Sequence, residues 1–309
     1  MKKLTGWLFF LLLCAPAWAV ENGGEQPAAY LQLGAGGLEN AMAGATAGLR
    51  GSISEAFWNP AGIVGMRGTQ MEYEHTVLSL NQTLEYFTVG SSFQSLYYFG
   101  LTAFDYSAGN DLQARTEPTL NPDFTFSDTE LAFLLTAAFR LSPDWDLGLN
   151  AKFFAQTYDS DLPSGFGIGE DVGLQYRPST WTTWGFVVEN GFSDFIYSDQ
   201  TDAVFPVILK LGVGQRFSDL PIKGDFDLEW SSNLGFQPRF GMEWRPFDEV
   251  ALRGGCTVEL DNGSQSFTGG IGILIPSPGN LEELDYTILP DRVYSGQIIQ
   301  QLSISAKFL

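Results

Sequence analysis

Polar and apolar residues alternate one for one along much of this chain. From Lys223 to Ser231, Phe226, Leu228 and Trp230 fall on one side of an extended backbone while Lys223, Asp225, Asp227 and Glu229 fall on the other. That period of two predicts a strand with one oily and one charged face. The same alternation sets Leu147, Leu149, Ala151 and Phe153 against Asn150 and Lys152, and Phe240, Met242 and Trp244 against Arg239, Glu243 and Arg245. Strands are predicted near 69–78, 82–91, 95–106, 129–140, 145–158, 166–177, 181–190, 205–217, 223–232, 237–246, 249–260, 266–275, 281–288 and 297–308. Their number is even, and their lengths lie near the roughly 9–11 residues that a tilted membrane strand needs.

The connections decide between a soluble sandwich and a membrane barrel. Every second one is tight, as at Ser142-Pro-Asp, Arg177-Pro-Ser-Thr180, Ser218-Asp-Leu-Pro221 and Arg245-Pro-Phe-Asp248, whereas 107–128, 158–165 and 191–204 read as longer acidic loops. Short turns at one rim and long loops at the other are the asymmetry of outer-membrane barrels, with the short turns periplasmic. Trp145, Trp181 and Trp244 stand beside the short turns, where an aromatic girdle belongs. The expected fold is an all-β transmembrane antiparallel barrel of about 14 strands. Its alternating phase points Lys152, Asp171, Lys210, Asp225, Asp227, Glu229, Arg239, Glu243 and Arg253 into the lumen, because a cation on the lipid face costs about 2–4 kcal/mol at the midplane.

Composition narrows the partners. The chain carries 36 Asp+Glu against 16 Lys+Arg, a formal charge of −20, which argues against nucleic acid. Residues 1–19, with Lys2 and Lys3, the apolar run Leu8–Leu13 and Ala17-Trp-Ala19, have the three parts of a cleaved signal peptide. An exported outer-membrane protein of a diderm bacterium is therefore expected, with membrane lipid as its first partner. Residues 20–66 break the strand rhythm with small residues and read as a hatch, including a short helix at Ala41–Leu49, ahead of a barrel at 67–309.

The run from Gly34 and Gly36 through Ala41-Met42-Ala-Gly44 to Trp58-Asn59-Pro60-Ala-Gly62 resembles the N-terminal motif of the PorV/PorQ family, relatives of the FadL fatty-acid transporters. Gly167–Pro178, Glu189-Asn190-Gly191, Gly241-Met-Glu-Trp and Ala251–Gly255 look like further segments of that family. At the closing strand Gln300-Gln301-Leu302-Ser303 stands where the family has a His before its Ser. The resemblance implies a FadL-like barrel with an N-terminal hatch and a part in type IX protein secretion, as a shuttle or anchor for exported proteins. Phe124, Phe126, Phe192, Phe195 and Tyr197, assigned to the loops, would then contact the partner.

Two other readings stand beside it. A FadL-like channel for hydrophobic small molecules predicts an apolar pocket at Leu31, Leu33, Leu38, Met42 and Phe57; a structural envelope barrel predicts no cargo. No enzyme is expected: His75 is the single histidine, and no Gly-x-Ser-x-Gly occurs. His75 shares the phase of Tyr73 and Val77 and reads as a rim or lipid-side residue. His75 and Cys256 do not make a metal site, Gly34-Ala-Gly36-Gly37 lacks the third glycine of a dinucleotide loop, and no cofactor is expected.

Overall fold

The computed structural model describes residues 27–114, 120–159, 162–199, 202–203, 205–277, 280–291 and 297–308; the signal peptide expected at 1–19 lies outside them. Fifteen strands form a single antiparallel sheet: β1 (Thr69–Val77), β2 (Gln82–Phe93), β3 (Tyr97–Ala114), β4 (Phe124–Arg140), β5 (Trp145–Tyr158), β6 (Gly165–Tyr176), β7 (Thr182–Tyr197), β8 (Asp202–Ala203), β9 (Ile208–Arg216), β10 (Ile222–Ser231), β11 (Gly235–Phe247), β12 (Val250–Val258), β13 (Gln265–Ser277), β14 (Asn280–Pro290) and β15 (Ile298–Phe308). Each long strand pairs with its neighbours in sequence, except that β7 passes over β8 to pair with β9. β1 pairs with β15, placing Thr69 opposite Phe308, so the ring closes. Fourteen strands make the barrel, and β8 adds a two-residue ribbon to β7 alone.

Burial follows the alternation. In β5 and β6 inward and outward positions exchange at nearly every residue. Leu135, Leu149, Leu211, Ile271 and Leu302 are among the large apolar side chains left exposed on the outer face. Such a continuous apolar exterior over a polar interior inverts a soluble protein and suits a bilayer. No helix among the described residues is long and apolar enough to cross a membrane, which says nothing of a β-barrel. Trp145, Trp181 and Trp244 are exposed beside the short turns, and Trp145 stacks on Tyr176 at 4.6 Å between centroids.

Two expected loops, 107–128 and 191–204, are shorter than the sequence suggested. β3 and β4 continue as a hairpin through 107–114 and 124–128, with a register shift between Ala108 and Leu112, and β7 continues to Tyr197. These extensions stand beyond a membrane-length strand, where burial no longer enforces strict alternation.

Residues 27–68 fill the lumen. They hold two short helices, α1 (Gly37–Ala41) and α2 (Glu55–Trp58), joined by turns. The helix expected at Ala41–Leu49 is absent: α1 ends at Ala41, and Ala43 and Gly44 take positive φ of 58° and 67°. The wall explains this. Ala47 lies against Gly185, Gly48 against Gly214, and Met42 against Gly241 and Gly255, so closely that a Cβ on any of these wall glycines would strike the hatch backbone. A helix, roughly 10 Å across with its side chains, would not fit so near the wall; an irregular ribbon of Ala and Gly does. Its backbone groups are satisfied by inward side chains, as buried polar groups require. Gln175 donates to the carbonyls of Ala47 (3.0 Å) and Leu49 (2.6 Å), Thr268 to Ala41 (2.8 Å) and Thr287 to Gly37 (2.9 Å).

Candidate functional site

Two unlike walls enclose the hatch. Many inward residues of β9–β12 and β14 are ionic, and the network continues to Glu189 on β7, Asp171 on β6 and Lys152 on β5. Arg253 on β12 bonds Glu243 at 2.7 Å and also pairs with Glu283 and Asp285 on β14. Arg239 on β11 holds Glu229 at 2.7 Å and donates to the hatch carbonyl of Ala43 at 3.1 Å. Lys210 pairs with Glu189 and Glu229 and sits 4.9 Å from the Trp58 ring centroid, a cation over an indole face. Lys152 bonds Asp171 and Asn190. Asp227 accepts from the backbone N–H groups of Thr46 and Ala47 at 2.9 and 3.0 Å, and neighbouring Asp225 has both oxygens buried without a hydrogen-bond partner. All nine charges assigned to the lumen are thus buried inside the barrel, and most are paired.

An apolar patch spans β2–β5 and the upper end of β7, set among inward polar residues such as Glu130, Asn150, Lys152 and Gln156. Leu84, Tyr86, Phe104, Ala132, Leu134 and Phe154 point inward and pack with Tyr30, Leu31, Leu33 and Phe57 of the hatch. Tyr30 stacks on Tyr106 with centroids 5.4 Å apart, and Phe104 lies 5.2 Å from Phe57 and 5.0 Å from Tyr86. Of the five residues expected to form a pocket, Leu31, Leu33 and Phe57 meet here. Met42 is pressed into the glycine-lined opposite wall, and Leu38 lines a polar cavity near the short turns.

The five aromatics assigned to loops divide differently. All lie on strands, Phe124 and Phe126 on β4 and the others on β7. Phe192 and Phe124 are exposed. Phe195 is 1% exposed and packs inward against Phe154, Phe205 and Tyr197, so it contributes to the apolar wall and offers nothing to an external partner. Tyr197 packs beside it, and Phe126 lies edge-on to Tyr158. The continuation of β7 past Asn190 carries Phe195 inward, and a loop assignment hides that phase.

The Asn59-Pro60-Ala-Gly62 motif is architectural. Asn59 accepts from the Ala61 N–H at 3.1 Å, opening a tight turn, and donates to the Ala47 carbonyl at 2.7 Å. Trp58 donates to Ala35 at 2.7 Å, and its ring occupies the places a Cβ would take on Gly34 and Gly44, both at positive φ. Gly36 and Gly62 make similar room for Glu39 and Glu55. These two hatch carboxyls are buried, and neither oxygen of either has a hydrogen-bond partner. Burial, helped by Glu72, pushes Glu39 up to about 8, and burial with Glu39 nearby pushes Glu55 well above the usual carboxylate range. On the outer face His75 Nδ1 lies 2.7 Å from Glu85, which also accepts from Tyr73 at 2.6 Å; the group faces away from the lumen.

With this architecture in view, the likeness to solved structures is specific. The chain superposes on the toluene transporter TbuX of Ralstonia pickettii with a TM-score of 0.63 at 14% identity, over 91% of this chain and 100% of that one. It superposes on the CymD monoaromatic hydrocarbon channel with a TM-score of 0.64 at 16% identity, over 89% and 98%. A FadL homologue from Pseudomonas aeruginosa gives 0.55 at 10% identity, over 95% and 99%. The fold is FadL-like. No family model and no curated protein matches the chain. The PorV/PorQ resemblance read from the motifs finds no support there; in this chain these motifs build a small-residue hatch against a glycine-lined wall.

The sequence left two features unread. Tyr86 and Phe104 share the inward phase of β2 and β3, whereas Tyr30 sits in the hatch, where no alternation marks it. The cations near the short turns, Arg50 and Arg177 among them, read as ordinary turn residues until the barrel closes.

Proposed function

We propose that the protein is an outer-membrane channel for a hydrophobic small molecule, delivered there by its signal peptide. The observation that carries this is an apolar, aromatic stretch of wall inside the lumen, Phe104 and Leu134 with Tyr30 and Phe57 of the hatch packed on it, beside a network of paired charges. A wet, unselective pore needs no such wall, whereas an apolar solute needs a continuous apolar surface to leave water. The FadL-like neighbours, two of them described as a toluene transporter and a monoaromatic hydrocarbon channel, lend the same direction to an aromatic or aliphatic hydrocarbon. The exposed Phe124 and Phe192 at the long-loop rim favour a second reading, capture of an exported protein.

The test is transfer of toluene and of oleate into vesicles holding the purified barrel, against empty vesicles and against Phe57→Asp. Faster transfer of either solute by the native barrel alone supports the channel. Rates equal to empty vesicles for both, with exported proteins co-purifying from native membranes, favour the second reading.

A further inference from the structure

The short-turn mouth of the barrel is cationic although the chain as a whole is strongly acidic. Arg140, Arg177, Arg216, Lys223, Arg245 and Lys307 all stand in the inward phase at the short-turn ends of their strands or just beyond, and Arg50 reaches the same region from the hatch. At the opposite mouth Asp128, Glu130, Asp159, Asp194 and Asp261 face the long connections. The inward phase matters, because cations serving lipid headgroups would point outward beside the tryptophan girdle.

Counter-charge at this mouth is uneven: Glu243 pairs with Lys223 and Arg245, and Arg245 also reaches Glu283. Buried Asp146 is shared by Arg50 at 3.0 Å, Arg177 at 3.1 Å and Arg140 at 3.7 Å, three cations on one carboxylate. Arg216, Arg67 and Lys307 have no ion pair among the described residues. Two cavities open here, of about 380 and 400 Å³, and both are lined by Arg50, Arg216 and Lys223, but the second also holds Glu39, Glu72, Glu283 and Asp285, so the first is the more cationic. Asp144 is the one acidic residue lining the first, which also holds Arg177 and Trp181. Both volumes fall in the roughly 300–1,000 Å³ range of small-molecule sites, and guanidinium forks converging on one space match planar oxyanions.

We infer that this mouth is a binding site for a small organic anion, a carboxylate or a phosphate, held between Arg50, Arg177, Arg216 and Lys223. Its ligand arrives along the barrel axis from the short-turn side, and the site is separate from the apolar wall. Arg50, Arg177 and Lys223 are partly buried, so their charge-assisted bonds act in a medium less screened than bulk water, while Arg216 stands exposed at the rim. The proposal does not rest on the channel reading, since it concerns equilibrium binding and not transfer.

The test is calorimetric titration of the purified barrel in non-ionic detergent with inorganic phosphate and, separately, with benzoate, with Trp181 fluorescence as a second readout. Saturable binding of phosphate alone, of benzoate alone or of both supports the site and tells which oxyanion it prefers. Arg216→Gln, which strands no carboxylate and should leave the fold intact, is expected to weaken binding about tenfold, and Asp144→Asn to tighten it several-fold. Absence of saturation with both anions, or affinities unmoved by Arg216→Gln in a barrel with native melting behaviour, would overturn the inference.

Discussion

Arg50 donates to Asp146 across 3.0 Å, and among the described residues this is the sole ion pair that ties the hatch to the barrel wall. Arg50 also donates to the Val64 carbonyl at 2.7 Å, so one side chain joins two parts of the hatch to β5. Burial and the adjoining arginines press its guanidinium down to about 10, still charged at neutral pH.

Removing the shared carboxylate should therefore cost more than removing one of its cations. Asp146→Ala leaves three arginines without their counter-charge, and a loss of about 3–5 kcal/mol is expected. Arg50→Met leaves Asp146 with Arg177 and Arg140, so a smaller loss, about 1–2 kcal/mol, should follow. Urea unfolding in detergent gives both values, and limited proteolysis shows whether the hatch is freed in each. Equal losses would show that the three arginines do not share one partner.

Hatch and wall meet through glycine, which makes side-chain volume a sharp probe. Gly185→Ala places a methyl group against the Ala47 backbone and should destabilise by about 1–3 kcal/mol. Gly109→Ala meets nothing within 4 Å and should be close to neutral. Thermal melting of the two variants compares them directly. A neutral Gly185→Ala would mean that the hatch is not seated on the wall.

The buried hatch carboxyls predict a pH dependence with a definite sign. Glu39 holds its proton to about pH 8 when folded, against 4.5 for the ordinary carboxyl. Between those values the folded state binds a proton that the unfolded chain has released. Its contribution is thus fully present below pH 4.5 and is lost as pH rises through about 8. Glu39→Gln should flatten the fall in melting temperature across that window relative to the native protein. A steeper fall in the variant would reverse the assignment.

Outward and inward neighbours on one strand should respond oppositely to charge. Leu211, near the middle of β9, is half exposed on the outer face, while adjacent Lys210 is buried and paired inside. Leu211→Arg should cost about 2–4 kcal/mol when the barrel folds into lipid bilayers. A cost near zero, measured by reversible folding into vesicles, would place this face in water.

The barrel was legible because its physics is periodic. Phe226, Leu228 and Trp230 against Asp225, Asp227 and Glu229 repeat a two-residue rule that lipid outside and polar groups inside enforce at each position. The hatch was legible only as composition. Which conformation Ala41–Leu49 adopts depends on Gly185, Gly214 and Gly241, residues more than a hundred positions away that are read as neighbours only once the sheet has curled. The apolar wall escaped notice for a similar reason. Tyr30, Phe104 and Phe195 come from three separate stretches of sequence, and neither Tyr30 nor Phe195 lay in an expected strand.

The seam between β1 and β15 also dictates an order of events. The nine paired positions from Thr69–Phe308 to Val77–Gln300 join the earliest and latest strands, so the cylinder stays open until the last strand is in place. The hatch precedes β1 and lies inside the finished ring, with Gly37 bonded to Glu72 on β1 and to Thr287 on β14, one strand either side of β15. If it is gathered in while the seam is still open, the final zipping of β15 seals it there. Any later escape is confined to the two mouths, so the way the chain closes decides which exits the finished machine can use.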